Sequence, residues 1–287
     1  MNGFLNLIKD IPPWDWPEDA GKRFLELLRD DTAPEADRLL AAHLAGDSTV
    51  VDDELAQALL EVVKNAHASE AVRSEAAISL GPVLEEADTE GFGDFGEPPI
   101  EEKTFVKIQE SFRAVHEDTG APPLVRRRVL EASVRAPQDW HAGAVRSALE
   151  RGDPEWKLTA VFSMRWVRGF DREILEALES DNPPLQRPAV EAAGTWGIDA
   201  AWPHVAALCA SKETDKDLLI SAIYALAEIR AQEAEVILVA LADSPDEDIS
   251  DAANDAMSMA EALGGGLKHD DDVDDEDLED EDEKKPQ

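Results

Sequence analysis

The sequence predicts an all-α fold, a solenoid of about seven stacked helix pairs, from three observations. First, an apolar residue followed four positions later by a small or apolar one, usually alanine, returns at steps of 36, 53, 31, 29, 33 and 31 residues. Second, helix-start residues precede most copies. Third, the apolar side chains between the copies keep helical spacing. Repeats of this length are typical of stacked helix pairs. The copies begin at Ala36, Val72, Val125, Trp156, Leu185, Leu218 and Ile249.

The first elements precede the first copy. Residues 4–8 form an apolar group that is too short, and too closely followed by Asp10 and prolines, for a signal peptide. Pro17 then predicts a helix start, because proline is tolerated in the first turn. The buried face of that helix is predicted to contain Phe24, Leu27 and Leu28.

Each copy is predicted to form one helix of a pair, with a partner helix before it. The small residue at the fifth position permits close helix approach. The predicted apolar stripes of the partner helices include Leu55, Leu59, Val62 and Val63; Phe105, Ile108 and Phe112; Ile174 and Leu178; Val205 and Leu208; and Val236, Ile237, Val239, Ala240 and Leu241.

Two segments fall outside the repeat pattern. Residues 88–103 are rich in glycine, proline and acids, which predicts an inserted loop. Its Phe92 and Phe95 have no obvious core to enter, so the loop either contacts a partner or is only a lengthened solvent loop. Residues 264–287 begin with glycines and continue with acids, which predicts a disordered tail.

The charge distribution limits the classes of partner. The formal net charge of -37 opposes binding to nucleic acid or to anionic membranes and favours a basic or cationic partner. Residues 121–172 form a basic island with 6 acids and 10 bases between acidic flanks. Only 11 of the basic residues are lysines, so the acidity also fits adaptation to salt.

The copies at 72–81 and 185–194 resemble the second helix of a HEAT repeat, of the short bacterial kind related to phycobilisome-lyase repeats. The resemblance covers roughly residues 17–263. It implies a right-handed α-solenoid of antiparallel helix pairs over residues 1–263, whose second helices line a concave face that commonly binds partners. The sequence departs from the pattern at Val129, Ser133 and Val134, and the first and last copies are degenerate, as expected of caps.

The sequence offers few candidates for chemistry. The six histidines are never spaced to share a helix face as metal ligands, and His116-Glu117 is a single pair where iron hydroxylases of this repeat class carry several. Cys209 is the only cysteine and falls on an apolar helix, so we expect it in the core. We therefore expect neither a cofactor nor a metal.

The candidate binding site lies in the middle repeats, where arginine and tryptophan are concentrated. Both residue types dominate protein interfaces. The predicted contributors are Arg126, Arg127, Trp156, Arg165, Trp166 and Arg168. The alternative is that the tryptophans fill the core while the arginines pair with nearby acids. Two ligands compete for a basic groove: the acidic tail of the chain itself, or an external acidic peptide or nucleic acid, of which the net charge of -37 disfavours the nucleic acid.

The predicted function is a non-catalytic interaction or assembly scaffold in the cytoplasm that binds a protein partner on the concave face. No run of about 20 apolar residues is present to span a membrane. The enzymatic alternative is a phycobilin lyase-like subunit acting on a protein-bound tetrapyrrole.

Overall fold

The computed structural model describes residues 3–93 and 95–265, and within them every regular element is helical. The chain divides into two compact units between Trp196 and Gly197. The first unit contains α1 (Gly3–Ile8), α2 (Ala20–Arg29), α3 (Glu35–Leu44), α4 (Asp53–Lys64), α5 (Glu70–Glu90), α6 (Glu102–Glu117), α7 (Pro123–Ser133), α8 (His141–Glu150), α9 (Pro154–Ser163), α10 (Asp171–Leu178) and α11 (Pro183–Thr195). The second contains α12 (Trp202–Ala210), α13 (Lys216–Ile229), α14 (Ala231–Ala242) and α15 (Glu247–Gly265). Short 3₁₀ helices occupy Pro13–Asp15 and Asp199–Ala201.

The helices pack as pairs in chain order, which confirms the all-α solenoid class. In the first unit the pairs are α2–α3, α4–α5, α6–α7, α8–α9 and α10–α11, and the second helices α3, α5, α7, α9 and α11 pack on one another in sequence. In the second unit α12 pairs with α13, α14 pairs with α15, and α13 packs on α15. Each predicted repeat copy lies in the second helix of a pair.

The helix starts follow the sequence signals. The Asp153 carboxylate accepts hydrogen bonds from the backbone N–H groups of Glu155 and Trp156, at 2.8 and 3.4 Å. Pro154 occupies the first turn of α9, where its missing N–H costs nothing. Ser69 caps α5 in the same way, through the N–H of Val72.

The small residue at the fifth position of each copy is where neighbouring helices meet. Its side chain is fully buried in most copies, as at Ala76, Ala160, Ala189, Ala222 and Ala253. The first copy is the exception to the predicted register, because Leu40 is half-buried and Ala41 takes the buried position. That copy therefore starts at Asp37, one residue later than its sequence pattern predicts.

Three arginines confirm the corrected register by repeating one contact. Arg38 donates to the carbonyl of Leu28, Arg73 to that of Val63, and Arg126 to that of His116, at 3.3, 2.9 and 2.8 Å. Each acceptor lies ten residues before its arginine, at the carboxyl end of the preceding helix. A cation there satisfies a terminal carbonyl and complements the helix dipole.

The predicted inserted loop is shorter than expected and partly anchored. Helix α5 continues to Glu90 and α6 begins at Glu102, so residues 91–101 connect them. Phe92 packs on the core and lies 5.2 Å from Phe105 between ring centroids, which corrects the expectation that it lacks a core. Ile100 is also buried, whereas Phe95 is 99% exposed.

The apolar stripe predicted on α14 is wrong, because a different side of the helix faces the core. Ala234 and Leu238 are buried, whereas Val236 and Val239 are 80% and 51% exposed. The run from Val236 to Leu241 is almost continuously apolar, so its spacing does not define which side faces the core.

The predicted acidic tail, residues 264–287, lies outside the described residues except for the backbone of Gly264 and Gly265, which ends α15. The boundary at residue 263 stays a prediction. None of the described helices is long and apolar enough to cross a membrane.

Candidate partner-binding groove

A surface groove runs along the second helices of the first unit. Two adjoining depressions, with volumes of about 480 and 350 Å³, share Ile78 and Arg135. The first is lined by residues of α3 and α5 together with Ile11, Pro13 and Trp16. The second is lined by residues of α7, α9 and α11, including Arg128, Glu131, Leu158, Phe162, Pro184, Arg187, Pro188 and Glu191. We call these two depressions together the second-helix groove.

Glu85 joins three second helices beside this groove. Its carboxylate accepts from Arg135 Nη1 at 2.6 Å and from the indole Nε1 of Trp166 at 3.2 Å. Glu85 belongs to α5, Arg135 follows α7, and Trp166 follows α9. The hydrogen bonds therefore fix the spacing of helices whose residues are up to 81 positions apart.

Aromatic rings hold Arg135 in place. Its guanidinium carbon lies 5.8 Å from the centroid of Phe162 and 4.9 Å from that of Trp166, while the two rings are 5.0 Å apart. Stacking of a guanidinium on aromatic faces is favourable and leaves its edges for hydrogen bonds. Gly81 makes room for this side chain, because a Cβ at residue 81 would lie 2.9 Å from Arg135.

Most charges of the groove are neutralised within it. Arg128 pairs with Glu131 at 2.6 Å, and the Thr159 hydroxyl donates to the same carboxylate at 2.5 Å. Arg165 and Arg187 both pair with Glu191, at 3.5 and 3.0 Å. The groove thus combines half-buried apolar side chains with paired charges on a strongly acidic protein.

Prolines give the groove hydrogen-bond acceptors on the backbone. Pro82 lies inside α5 and Pro188 inside α11, and both line the groove. Because proline has no N–H, the carbonyls of Ile78 and Pro184 lack the donor that a helix normally supplies four residues later. Both carbonyls belong to residues that line the groove.

The six residues predicted for the binding site do not form one surface. Arg165 and Trp166 border the groove, where the Arg165 guanidinium carbon lies 5.3 Å from the Trp166 ring centroid. Arg127 pairs with Glu155 at 2.8 Å, and Arg168 lies 4.6 Å from the ring of Trp196. The remaining two, Arg126 and Trp156, lie together in a buried cluster that does not line the groove.

The buried cluster contains Arg126, Trp156, His116 and Trp140. His116 Nδ1 contacts the Arg126 carbonyl at 3.3 Å, while Arg126 Nε donates to the His116 carbonyl. The His116 ring lies 5.3 Å from Trp140 and 6.1 Å from Trp156 between centroids. Burial lowers the pKa of Arg126 and the charge of Arg151 lowers it further, whereas the charge of Asp118 acts in the opposite direction. Burial is also the main cause that lowers the pKa of His116.

His141 is a neutral structural histidine at the edge of the same cluster. The Gln138 N–H donates to its Nδ1 at 2.8 Å, so Nε2 carries the proton and donates to Ser133 Oγ at 3.0 Å. Ser133 in turn donates to the Leu130 carbonyl. Burial lowers the pKa of His141 to about 3, so the ring stays neutral at physiological pH.

Cys209, His116 and Glu117 are buried or paired with other residues of the chain. Cys209 is buried in α12, as predicted, and burial raises the pKa of its thiol to about 12, which leaves little thiolate at neutral pH. Glu117 pairs with Arg113 at 3.0 Å, while His116 faces Arg126. Within residues 3–93 and 95–265 no three His, Cys, Asp or Glu side chains are placed to hold a metal ion.

Sequence reasoning missed Phe162 and Arg135 as lining residues of the groove, and Glu85 as the carboxylate beside the groove that binds Arg135. Phe162 and Trp166 are four positions apart and therefore lie on one side of the chain as it leaves α9. Nothing in the sequence pairs them with Glu85, because that contact depends on the stacking of α5, α7 and α9.

No protein-family model matches this sequence, and no curated protein matches it. Among solved structures, the chain is similar to human deoxyhypusine hydroxylase in complex with glycerol, with 18% identity, a TM-score of 0.40 and coverage of 90% of this chain and 96% of that chain. It is also similar to the Escherichia coli protein YibA, with 15% identity, a TM-score of 0.43 and coverage of 90% and 93%. A third similar structure, an engineered protein, has 16% identity, a TM-score of 0.35 and coverage of 86% and 98%. Similarity at this level assigns neither a family nor an activity to the chain.

Proposed function

We propose that this protein is a non-catalytic interaction or assembly scaffold of the cytoplasm, and that the second-helix groove of its first unit binds a segment of a protein partner. The observation that carries the proposal is the composition of the groove. Half-buried Phe162 lines the groove together with arginines that pair with glutamates, and Trp166 packs on Phe162 at the edge of the groove. Aromatic and arginine side chains dominate interface energies.

The partner segment that fits this groove is extended, with backbone N–H groups and apolar side chains to offer. The carbonyls of Ile78 and Pro184 would accept its hydrogen bonds, and Leu158 and Phe162 would contact its apolar side chains. An extended segment exposes its backbone donors, whereas a helix has already paired most of them.

We also propose that the helix pairs are HEAT-like repeats. The support is the order of the pairs, the buried small residue in each second helix and the packing of second helices on one another. No observation on the described residues favours the phycobilin lyase-like alternative.

The test compares three immobilised proteins in native lysate: the wild type, Phe162→Ala combined with Arg187→Ala, and Arg172→Ala as the matched control. Arg172 is an exposed arginine on the first helix α10, away from the groove lining. We expect the groove variant to lose at least one protein that the other two capture equally. The proposal is wrong if all three proteins, each folded by circular dichroism, capture the same set.

A further inference from the structure

Two arginines beside Trp156 differ from most arginines of this chain. Most guanidinium groups pair with a carboxylate within 4 Å, whereas Arg126 and Arg151 have no such pair among the described residues. Their guanidinium carbons lie 5.7 and 4.3 Å from the centroid of the Trp156 ring. Two like charges therefore lie beside one indole in a protein with 64 acidic residues.

Arg126 is held in place before any ligand binds. Its residue is only 9% exposed, its Nε donates to the His116 carbonyl, and its own carbonyl contacts the His116 ring. Its two Nη atoms make no hydrogen bond to the described chain and are not sealed from solvent. A fixed guanidinium with free donors loses little conformational entropy on binding an anion.

In the first repeat, the helix-capping arginine also binds a carboxylate. Arg38 makes the same helix-capping contact as Arg126, and its Nη1 also pairs with the Asp31 carboxylate at 3.3 Å. Asp31 lies seven residues before Arg38, and the residue seven before Arg126 is Thr119. At this repeat no carboxylate of the described residues lies within 4 Å of the capping guanidinium, although the charge of Asp118 acts on it from farther away, and Arg151 lies beside the same ring.

We propose that Arg126, Arg151 and Trp156 form a binding site for the carboxylate groups of an acidic polypeptide. The two guanidinium groups provide charged hydrogen-bond donors, and the buried indole, whose residue is 4% exposed, holds them side by side. None of these three residues lines the second-helix groove, so this proposal can be tested independently of the proposed function.

The local charge around Arg126 and Arg151 favours a carboxylate ligand, although the net charge of the whole chain opposes it. Residues 121–172 carry four more bases than acids, and the charges of Arg126 and Arg151 oppose each other in the free protein. A bound carboxylate relieves that repulsion at short range. The long-range repulsion from the acidic flanks is screened at moderate salt, where the Debye length is about 8 Å.

The test follows the indole N–H signal of Trp156 by NMR, assigned through Trp156→Phe. A capped peptide of glutamates is titrated at fixed ionic strength into the full chain, and the capped glutamine peptide and inorganic phosphate are titrated in parallel. We expect saturable binding of the glutamate peptide that Arg151→Gln weakens by about tenfold or more, because one of two charged contacts is lost. Arg151 is an exposed residue at the carboxyl end of α8, and glutamine can adopt the same right-handed helical backbone there, so this variant should fold.

Arg168→Gln is the matched control. Arg168 also lies over a tryptophan ring, at 4.6 Å from Trp196, but with no second guanidinium beside that ring. Wild-type affinity in this variant supports the proposal. Equal affinities of wild type and Arg151→Gln would overturn it, and so would binding of phosphate without binding of the glutamate peptide.

Discussion

The capping arginines show how single side chains stabilise this fold. Arg73 is 7% exposed, and its Nε donates to the Val63 carbonyl at the end of α4. Its removal leaves that carbonyl without its partner and also removes a cation from the carboxyl end of the helix dipole.

We therefore expect Arg73→Ala to lower the free energy of unfolding by about 1–3 kcal/mol in urea titrations. Arg172→Ala is the control, because Arg172 is an exposed arginine with only surface ion pairs. A loss no larger than that of the control would show that the Val63 contact does not contribute to stability.

His141 makes the stability of the protein depend on pH. Burial lowers its pKa from 6.5 to about 3, so the unfolded chain binds a proton that the folded chain excludes between these values. Its contribution to stability is full above pH 6.5 and is lost as the pH falls, by up to about 1.4 kcal/mol per pH unit. We expect His141→Gln to flatten the loss measured between pH 7 and 5, a range above the usual carboxyl pKa values. Parallel pH profiles for the two proteins would contradict this assignment.

At the residue scale, the sequence did not predict which arginines and tryptophans of the middle repeats are buried. Arg126 and Trp156 belong to a residue class that dominates interfaces, and yet both are buried. Their exposure depends on the rotation and stacking of α7 and α9, which composition does not encode. The capping role of Arg126 could have been found from sequence, because an arginine stands at the second position in three successive copies once the first is shifted to Asp37.

At the scale of elements, the close approach of neighbouring second helices depends on glycine residues. Gly46 follows α3, and a Cβ there would lie 2.2 Å from the Ser79 carbonyl oxygen of α5. That oxygen is part of the backbone, so an alanine would force the two helices apart.

We expect Gly46→Ala to destabilise the first unit by about 3 kcal/mol in denaturant unfolding. Gly143→Ala is the matched control, because a Cβ at residue 143 of α8 would have nothing within 4 Å. Alanine is the better helix former, so the control should be neutral or more stable by up to about 1 kcal/mol. Similar effects of the two substitutions would mean that α3 and α5 do not approach closely.

Element order was predictable from sequence, whereas helix rotation was only partly so. The starts of α5, α7, α9 and α11 agree with their serine, proline and aspartate signals, because these residues act locally. In α14 the apolar run is too continuous to define a face, and the structure buries Ala234 and Leu238. Phe92 joined the core because Phe105 lies beside it, and that contact crosses a loop.

At the scale of the whole molecule, charge is the dominant property. A formal net charge of -37 creates self-repulsion that favours expansion of the chain, and dissolved salt screens it. We expect the melting temperature to rise steadily from dilute buffer to molar NaCl, as adaptation to salt implies. A melting temperature that is indifferent to salt would contradict the role of self-repulsion in stability.

The central claim is that the second helices of the first unit stack in chain order and so create the groove. Glu85 and Trp166 meet only in that arrangement, because they belong to α5 and to the segment after α9. The most direct measurement is cross-linking of Glu85→Cys and Trp166→Cys, in a Cys209→Ala background, with a short bismaleimide. We predict an intramolecular link in the folded protein that disappears in urea. Failure to link while both thiols react singly would contradict the stacked arrangement.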